Sequence, residues 1–487
     1  MTGGLGILLS GILGAALIAR LILTLVRRSS QPLPPGPKPA PVIGNIHQLP
    51  KSLQWLHLYH WSKTYGPVMH LSMAGQPLVI LSTHQAAHDL LNRRSQRYSD
   101  RPRMVMAGDL VTKNMHMLLR PLRAASRYRP LQDIESQQLL FDVLGEWDKF
   151  GEKGVDFHHH FERAMASTIY CLNYGYRLQT GFEKELLDGK RVQAEFARTG
   201  QLGAYMVDSF PSLNYLPGFL APWKKEGEEL YELERELHVG NLEKGLRNRS
   251  WNFARHMKGS PGAKGMPTEE LAFDLGILAD AGLDTSTVAL DWFIVAWITS
   301  GSHWVGNAQR ILDEVVGRDR MPTFEDRPKL SYIDAIANSI VLPNAFAITR
   351  DEAVFGEDVD AFIPERWFAE TDGDNLKEPS IDSCGVNVSA LKDLPQTGFG
   401  LGRRICTGRT IARNQLFIQM ARMLWHAGER YPVDDMDCTE GFVTLPKPFR
   451  AVMRPRGQWV RDAILESGTT HGLDHAAILD EARIERS

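Results

Sequence analysis

Two stretches of this chain hold residues whose types and spacing can do chemistry. The first is Phe399-Gly400-Leu401-Gly402-Arg403-Arg404-Ile405-Cys406-Thr407-Gly408, and its cysteine is one of only four in 487 residues. A thiolate is a strong, soft ligand for iron, and it needs positive or dipolar surroundings to stay deprotonated. Arg403 and Arg404 supply the charge. Gly402 and Gly408 remove side chains where the backbone must pass close to something flat and large. An isolated cysteine in such a turn is better read as a buried structural residue. The second stretch is Ala281-Gly282-Leu283-Asp284-Thr285-Ser286-Thr287. Glycine and clustered hydroxyls are poor helix formers, and inside a helix the hydroxyls can bond back to the backbone. A third candidate, His158-His159-His160, reads as a solvated helix start, because adjacent side chains diverge and cannot share one ion easily.

These residues need elements to position them. A helix begins at Arg409 and runs through His426, and its N-terminal dipole stabilises a thiolate placed just before it. Asp284 and Thr285 lie within 268–297, an apolar helical run far above average length. Helical spacing also marks 53–63, 84–94, 308–316 and the stretch from Tyr332 to Asn338. Residues 68–73 and 76–81 read as two short strands around Ala74-Gly75. Residues 223–258 are highly charged and read as exposed helices, followed by a loop at 259–265.

A hydrophobic share of 43% and a charged share of 23% are ordinary for a globular protein, and the length allows one large domain. The net charge of -3 gives no reason to expect a nucleic-acid partner. Cys171, Cys384, Cys406 and Cys438 form no close-spaced framework, which points to a reducing compartment. No Gly-x-Gly-x-x-Gly follows a strand, which argues against a dinucleotide-binding oxidoreductase. Residues 4–26 are apolar apart from Ser10, Arg20 and Thr24. At helical rise they span roughly 35 Å, enough to cross a bilayer. Arg27 and Arg28 follow the apolar run, so an uncleaved anchor (1–28) with the rest of the chain in the cytosol is expected, not a signal peptide. Residues 29–39 are proline-rich and read as a stiff spacer between anchor and globule.

The spacing Phe-x-x-Gly-x-Arg-x-Cys-x-Gly at 399–408 resembles the haem-binding loop of the cytochromes P-450, and Ala281–Ser286 is similar to that family's oxygen-activation motif. The resemblance implies a mainly helical fold with a small β lobe, a monooxygenase domain over 40–456 and a haem cofactor. It makes Cys406 the axial iron ligand, and puts Phe399, Gly402, Arg404 and Gly408 around the haem. Gly282 is then where a diatomic ligand sits against the backbone, Thr285 a hydrogen-bond donor to dioxygen, and Asp284 a proton relay. The family places a tryptophan and an arginine four apart on one helix, both reaching a haem propionate. Here Arg120 is present and His116 takes the tryptophan position, as a propionate donor or as a surface histidine.

The family's Glu-x-x-Arg does not follow Tyr332, and a segment that resembles a downstream part of the family resumes near Ser339. An internal deletion after residue 338 is therefore expected. Arg366, in Pro364-Glu365-Arg366-Trp367, would lose its partners and be a poorly compensated charge if buried. Residues 441–449 resemble the terminal hairpin that closes the substrate pocket, and 457–487 read as an added, charged tail. Details such as Ser126–Gln132 and Leu394–Phe399 look similar to P-450s of mushroom-forming fungi, many of which decorate terpenoids or other secondary metabolites. The implied activity is oxidation of an apolar small molecule by dioxygen. The resemblance further implies single-pass anchoring in the endoplasmic reticulum and electrons from an NADPH-dependent reductase. Arg403, Arg409 and Arg413 could form its docking face. The alternative is a truncated, inactive relative from a mis-spliced message or an erroneous gene model.

Overall fold

The computed structural model describes residues 33–50, 53–99, 101, 103–113, 115, 128–201, 203–300, 303–339, 346–368, 394, 397–427, 438–439 and 444–481. Helix α1 (Gln54–Tyr65) leads into a two-stranded antiparallel sheet, β1 (Val68–Met73) and β2 (Gln76–Leu81). Val68 pairs with Leu81 and Met73 with Gln76. Period-two alternation buries Met69, Leu71 and Met73 on one face. The turn needs two left-handed residues, and Ala74 and Gly75 supply φ of 50° and 85°. The described part of the proline-rich run, 33–39, lies against the β lobe. His70 N–H donates to Pro35 O at 2.8 Å, and Asn45 Nδ2 donates to Pro37 O at 3.1 Å. Extended backbone has free carbonyls, and the β lobe uses them.

Residues 84–94, expected as one helix, divide into an α turn at His84–Ala87 and a wider π-type turn at His88–Asn92. The widening brings Leu91 O and Asn92 Oδ1 against the cysteine loop, as described below.

The helical body follows as α2 (Arg129–Phe150), α3 (Phe157–Tyr174), α4 (Lys184–Thr199), α5 (Pro222–Arg247), α6 (Phe253–Lys258) and α7 (Thr268–Ser300). Then come α8 (Trp304–Val315), α9 (Ser331–Ser339), α10 (Arg409–His426), α11 (Gln458–Ser467) and α12 (His475–Glu481). The 33-residue α7 runs through the centre, packed on α3, α5 and α10. Its length and apolarity suit a membrane span, but two-thirds of its most apolar window is buried by protein (67%), as befits a core helix. The main core joins α2, α3, α7, α8, α9 and α10 through side chains such as Leu140, Phe161, Phe293, Ile311, Tyr332 and Trp425. The expected anchor, 4–26, lies outside the described residues.

Three expectations change once the helices pack. Helix α5 is charged but not simply exposed: it buries Glu234, Leu237, His238, Asn241 and Leu242. The histidine tract is not merely a solvated helix start. Asp156 caps α3, His160 Nε2 lies 2.5 Å from Glu146, and His158 Nδ1 lies 2.8 Å from Asp291 of α7. The tail folds back as well. Val460, Ile464 and Leu479 are buried, and α11 and α12 both rest on α2. Thr470 N–H donates to Gln138 Oε1 at 2.6 Å.

Arg366 is not left uncompensated. Its guanidinium donates to the carbonyls of Phe355, Asp358, Ala361 and Ile363 at 2.6–3.2 Å. Glu365 beside it accepts from Tyr332 Oη of α9 and from Asn307 of α8.

Candidate active site

The cysteine loop is built from two short 3-10 turns, Thr397–Phe399 and Gly402–Arg404, joined through left-handed glycines at Gly400 (φ 79°) and Gly402 (φ 61°). Cys406 N–H donates to Phe399 O at 2.7 Å and closes the loop. Phe399 is half-buried. Cys406 stands two residues before Gly408, the N-cap of α10. Its sulfur receives the N–H groups of Gly408 and Arg409 and feels the Arg409 charge, all of which lower its pKa. Desolvation is larger and pushes the thiol up, although the residue as a whole presents surface to solvent. A cationic metal opposite the sulfur would reverse that balance. Cys171, by contrast, is buried and inert, its thiol pushed far up by burial.

Gly402 makes a close contact within the protein. A Cβ there would fall 1.9 Å from Leu91 O, and its N–H donates to Asn92 Oδ1 at 2.5 Å. The missing side chain thus lets the loop seat on the π-type turn. Gly408 has more room, its nearest neighbour being the Cys406 sulfur at 3.8 Å from a built Cβ.

Arg404 Nε donates to Ser99 O at 2.7 Å, while its Nη1 is buried with no hydrogen-bond partner among the described residues. Arg101 lies close enough that burial, and then the Arg404 charge, hold its pKa below the ordinary arginine value. Two guanidiniums near enough to feel each other's charge, with an orphaned donor on Arg404, suit an anion. Haem propionates fit that requirement. The sequence carries no local signal for Arg101, whose role is visible only in this pairing. His116 and Arg120 lie outside the described residues.

Across α7, a stripe stays open while its flanks are buried. Ala281 and Thr285 are exposed and Leu278, Gly282, Trp292 and Ala296 half-buried, at spacings that keep them on one face. Thr285 Oγ1 donates back to Ala281 O at 2.8 Å. This is the local bonding expected of a mid-helix hydroxyl, and it holds the oxygen toward the open face. A Cβ on Gly282 would meet Ile169 of α3 at 3.0 Å, so this glycine serves close approach of α3 to α7. Trp292 Nε1 donates to Thr444 O at 3.0 Å, which ties the terminal segment to the same helix. Cys438 bridges Pro446 across that segment, while 441–443 lie outside the described residues.

Asp284 is half-buried among charged partners. Burial pushes its carboxyl up to about 6, Glu162 adds to the rise, and His158 and Lys190 oppose it. Lys190 Nζ lies 2.7 Å from Glu162 Oε1, and His158 Nε2 lies 3.8 Å from the same oxygen. With its side chain 38% exposed, His158 connects this cluster to solvent. Sequence reasoning missed His158, Glu162, Lys190 and Asp291. Asp291, seven residues beyond Asp284 on one helical face, was findable by spacing. The others come from α3 and α4 and have no local signal.

Comparison with known proteins agrees with this geometry. The family model described as "Cytochrome P450" matches residues 34–338 and 336–453, two stretches that overlap at 336–338. The chain is 33% identical to cytochrome P450 monooxygenase aneD of Aspergillus aculeatus, over 94% of this chain and 95% of the relative. That alignment runs to 522 positions, more than this chain's own length, so the relative carries segments that this chain lacks. It is 31% identical to cytochrome P450 monooxygenase drtD of Aspergillus calidoustus, over 88% and 87%. It is 30% identical to cytochrome P450 monooxygenase 58 of Postia placenta, over 93% and 94%. By family match, by relatives over nearly its whole length and by the cysteine loop set before α10, the chain belongs to the cytochrome P450 family.

Proposed function

We propose that this chain is a membrane-anchored haem-thiolate monooxygenase that oxidises an apolar small molecule in fungal secondary metabolism. The observation that carries the reading is Cys406, held at the start of α10 with two N–H groups and Arg409 turned to its sulfur. Cys406 would ligate the iron, and Arg404 with Arg101 would hold the propionates. Haem, when bound, supplies dioxygen activation and insertion of one oxygen atom into an unactivated C–H bond, using two electrons and two protons. The chain's part is position and protons. Thr285 presents a hydroxyl on the open face of α7, and Asp284 beside it, its carboxyl pushed up to about 6, keeps a fraction of its acid form near neutral pH. The Glu162–Lys190–His158 cluster can refill Asp284 from solvent. Leu278, Ala281, Trp292 and Ala296 give the face an apolar surface for substrate.

Arg403 and Arg409 are exposed and Arg413 half-buried beside the cysteine, which supports docking of an acidic face on an NADPH-dependent reductase. An anchor over 4–26 with the domain in the cytosol, at the endoplasmic reticulum, suits such a partner. Asn248 lies in an Asn-x-Ser sequon, but its amide donates to Gly175 O at 2.6 Å, which supports a side not reached by glycosylation. Loss of the segment after residue 338 is part of the same reading. The backbone carbonyls around Arg366 and the Tyr332–Glu365 bond support a core that does without Glu-x-x-Arg and speak against an inactive remnant.

The test is the carbon monoxide difference spectrum of the reduced protein. Wild type should give the thiolate-type band, and Cys406→Ser should lose it completely while far-ultraviolet dichroism stays unchanged. An identical spectrum in the variant overturns the assignment.

A further inference from the structure

A buried Glu-His-Asp cluster joins α5 to α7 one helical turn before Asp284. Glu234 and His238 stand four apart on α5, hence on one face, and Asp280 meets them from α7. His238 Nε2 lies 3.6 Å from Glu234 Oε1 and 3.7 Å from Asp280 Oδ2. Both separations exceed hydrogen-bond length. One ligand atom from each residue lies within 4.8 Å of the others. Glu234 is 2% exposed, and neither of its carboxylate oxygens has a hydrogen-bond partner among the described residues. The fold makes deliberate room for the imidazole. A Cβ on Gly276 would fall 2.3 Å from His238 Nδ1, so only glycine admits the ring, and Phe273 packs edge-on at 5.1 Å.

Two carboxylates, Glu234 buried and Asp280 half-buried, converging on one buried imidazole are costly without a compensating cation. We propose that Glu234, His238 and Asp280 hold a divalent transition-metal cation, with zinc the best match. One imidazole nitrogen and two carboxylate oxygens are a zinc donor set, with a fourth position left for water. Bonds of about 2.0–2.2 Å at tetrahedral angles place neighbouring donors roughly 3.4 Å apart, close to the two separations seen. The imidazole disfavours magnesium and calcium, which take oxygen ligands. Two negative carboxylates and a neutral imidazole balance the 2+ charge. The ion would staple α5 to α7 and fix the turn of α7 that leads into Asp284. The site shares no residue with the haem assignment and does not depend on it.

Full-length protein, stripped with chelator and dialysed, is titrated with zinc chloride alone, with bound zinc counted separately from iron by elemental mass spectrometry. Glu234→Gln and Asp280→Asn are near-isosteric and keep the packing. His159→Asn controls for uptake at the histidine tract. Wild type and His159→Asn should each bind one zinc per chain and gain thermal stability from it. Glu234→Gln and Asp280→Asn should each weaken binding by at least about 10-fold and lose the thermal gain. A wild type that takes up no stoichiometric zinc overturns the proposal. So does unchanged affinity in both Glu234→Gln and Asp280→Asn, which would place the metal elsewhere. Haem content enters none of these readouts, so failure of the haem assignment would be separately visible.

Discussion

Asp284 and Thr285 illustrate how one residue's environment sets its chemistry. An ordinary surface aspartate is ionised at neutral pH and has no proton to give. Burial, with Glu162 adding to it, pushes the Asp284 carboxyl up to about 6, so a useful fraction stays protonated near neutrality. Asp284→Asn should lower product formation by about 100-fold, within the range of general acid catalysis. The acid form is lost as pH rises through about 6, so the wild-type product-forming rate should fall above that pH. In Asp284→Asn this limb should disappear. Thr285→Ala should retain haem yet divert NADPH-derived electrons to peroxide. Parallel assays of NADPH use, product and peroxide check both variants, and full coupling in Thr285→Ala would contradict the assigned role.

At the scale of elements, buried charge decides how the helices lock. Glu135 of α2 is fully buried and accepts from Arg163 of α3 at 2.9 Å, Ser167 at 2.7 Å and Arg177 at 2.5 Å. Glu135→Ala leaves Arg163, which is itself 2% exposed, with Asp142 at 3.0 Å as its remaining carboxylate and leaves Arg177 without its Glu135 partner, and should cost about 3 kcal/mol in urea unfolding. Helix α10 ends on His426, which is fully buried with neither ring nitrogen bonded among the described residues. Burial, assisted by Arg461, lowers its pKa to about 4. The sign follows directly. Below the ordinary histidine value of about 6.5 the unfolded chain takes a proton that the folded one refuses, so stability falls as pH drops from there towards 4. His426 alone should remove about 2 kcal/mol between pH 7 and pH 5. His426→Phe should flatten that part of the urea-midpoint profile.

For the molecule as a whole, the C-terminal segment is part of the folded body. Trp459 packs edge-on against Trp425 at 4.9 Å, Arg461 pairs with Asp148 at 2.6 Å, and Asp480 accepts from Trp251 N–H at 2.9 Å. Thr470 sits between Gln138 of α2 and Arg177. Ending the chain after Arg456 would expose the ground beneath Val460, Ile464 and Leu479. At about 1.5–3 kcal/mol per buried aliphatic side chain, the loss should be roughly 5 kcal/mol. Calorimetry of the truncated protein checks this, and an unchanged melting temperature would show the segment to be an ornament.

The sequence by itself determined the local patterns. The hairpin at 68–81 was legible because alternation and a two-residue turn are properties of neighbours in the chain. So was α7, whose apolar run needs no partner to be recognised as helix. The cysteine loop was legible because a thiolate, two left-handed glycines and a helix start must follow one another in order. Packing decided the rest, because each remaining feature depends on what lies across from it. The spacing of Gly282 and Gly402 suggests room for a ligand, and only the fold shows that Ile169 and Leu91 O also approach them closely. The charged α5 and the histidine tract were read as solvated, since composition cannot reveal that Asp280 and Asp291 of α7 wait opposite them. Arg366 was read as stranded, since a guanidinium can be satisfied by backbone carbonyls that carry no sequence signature. Periodicity and motif are written along the chain, whereas the partners of a buried charge are chosen by the fold.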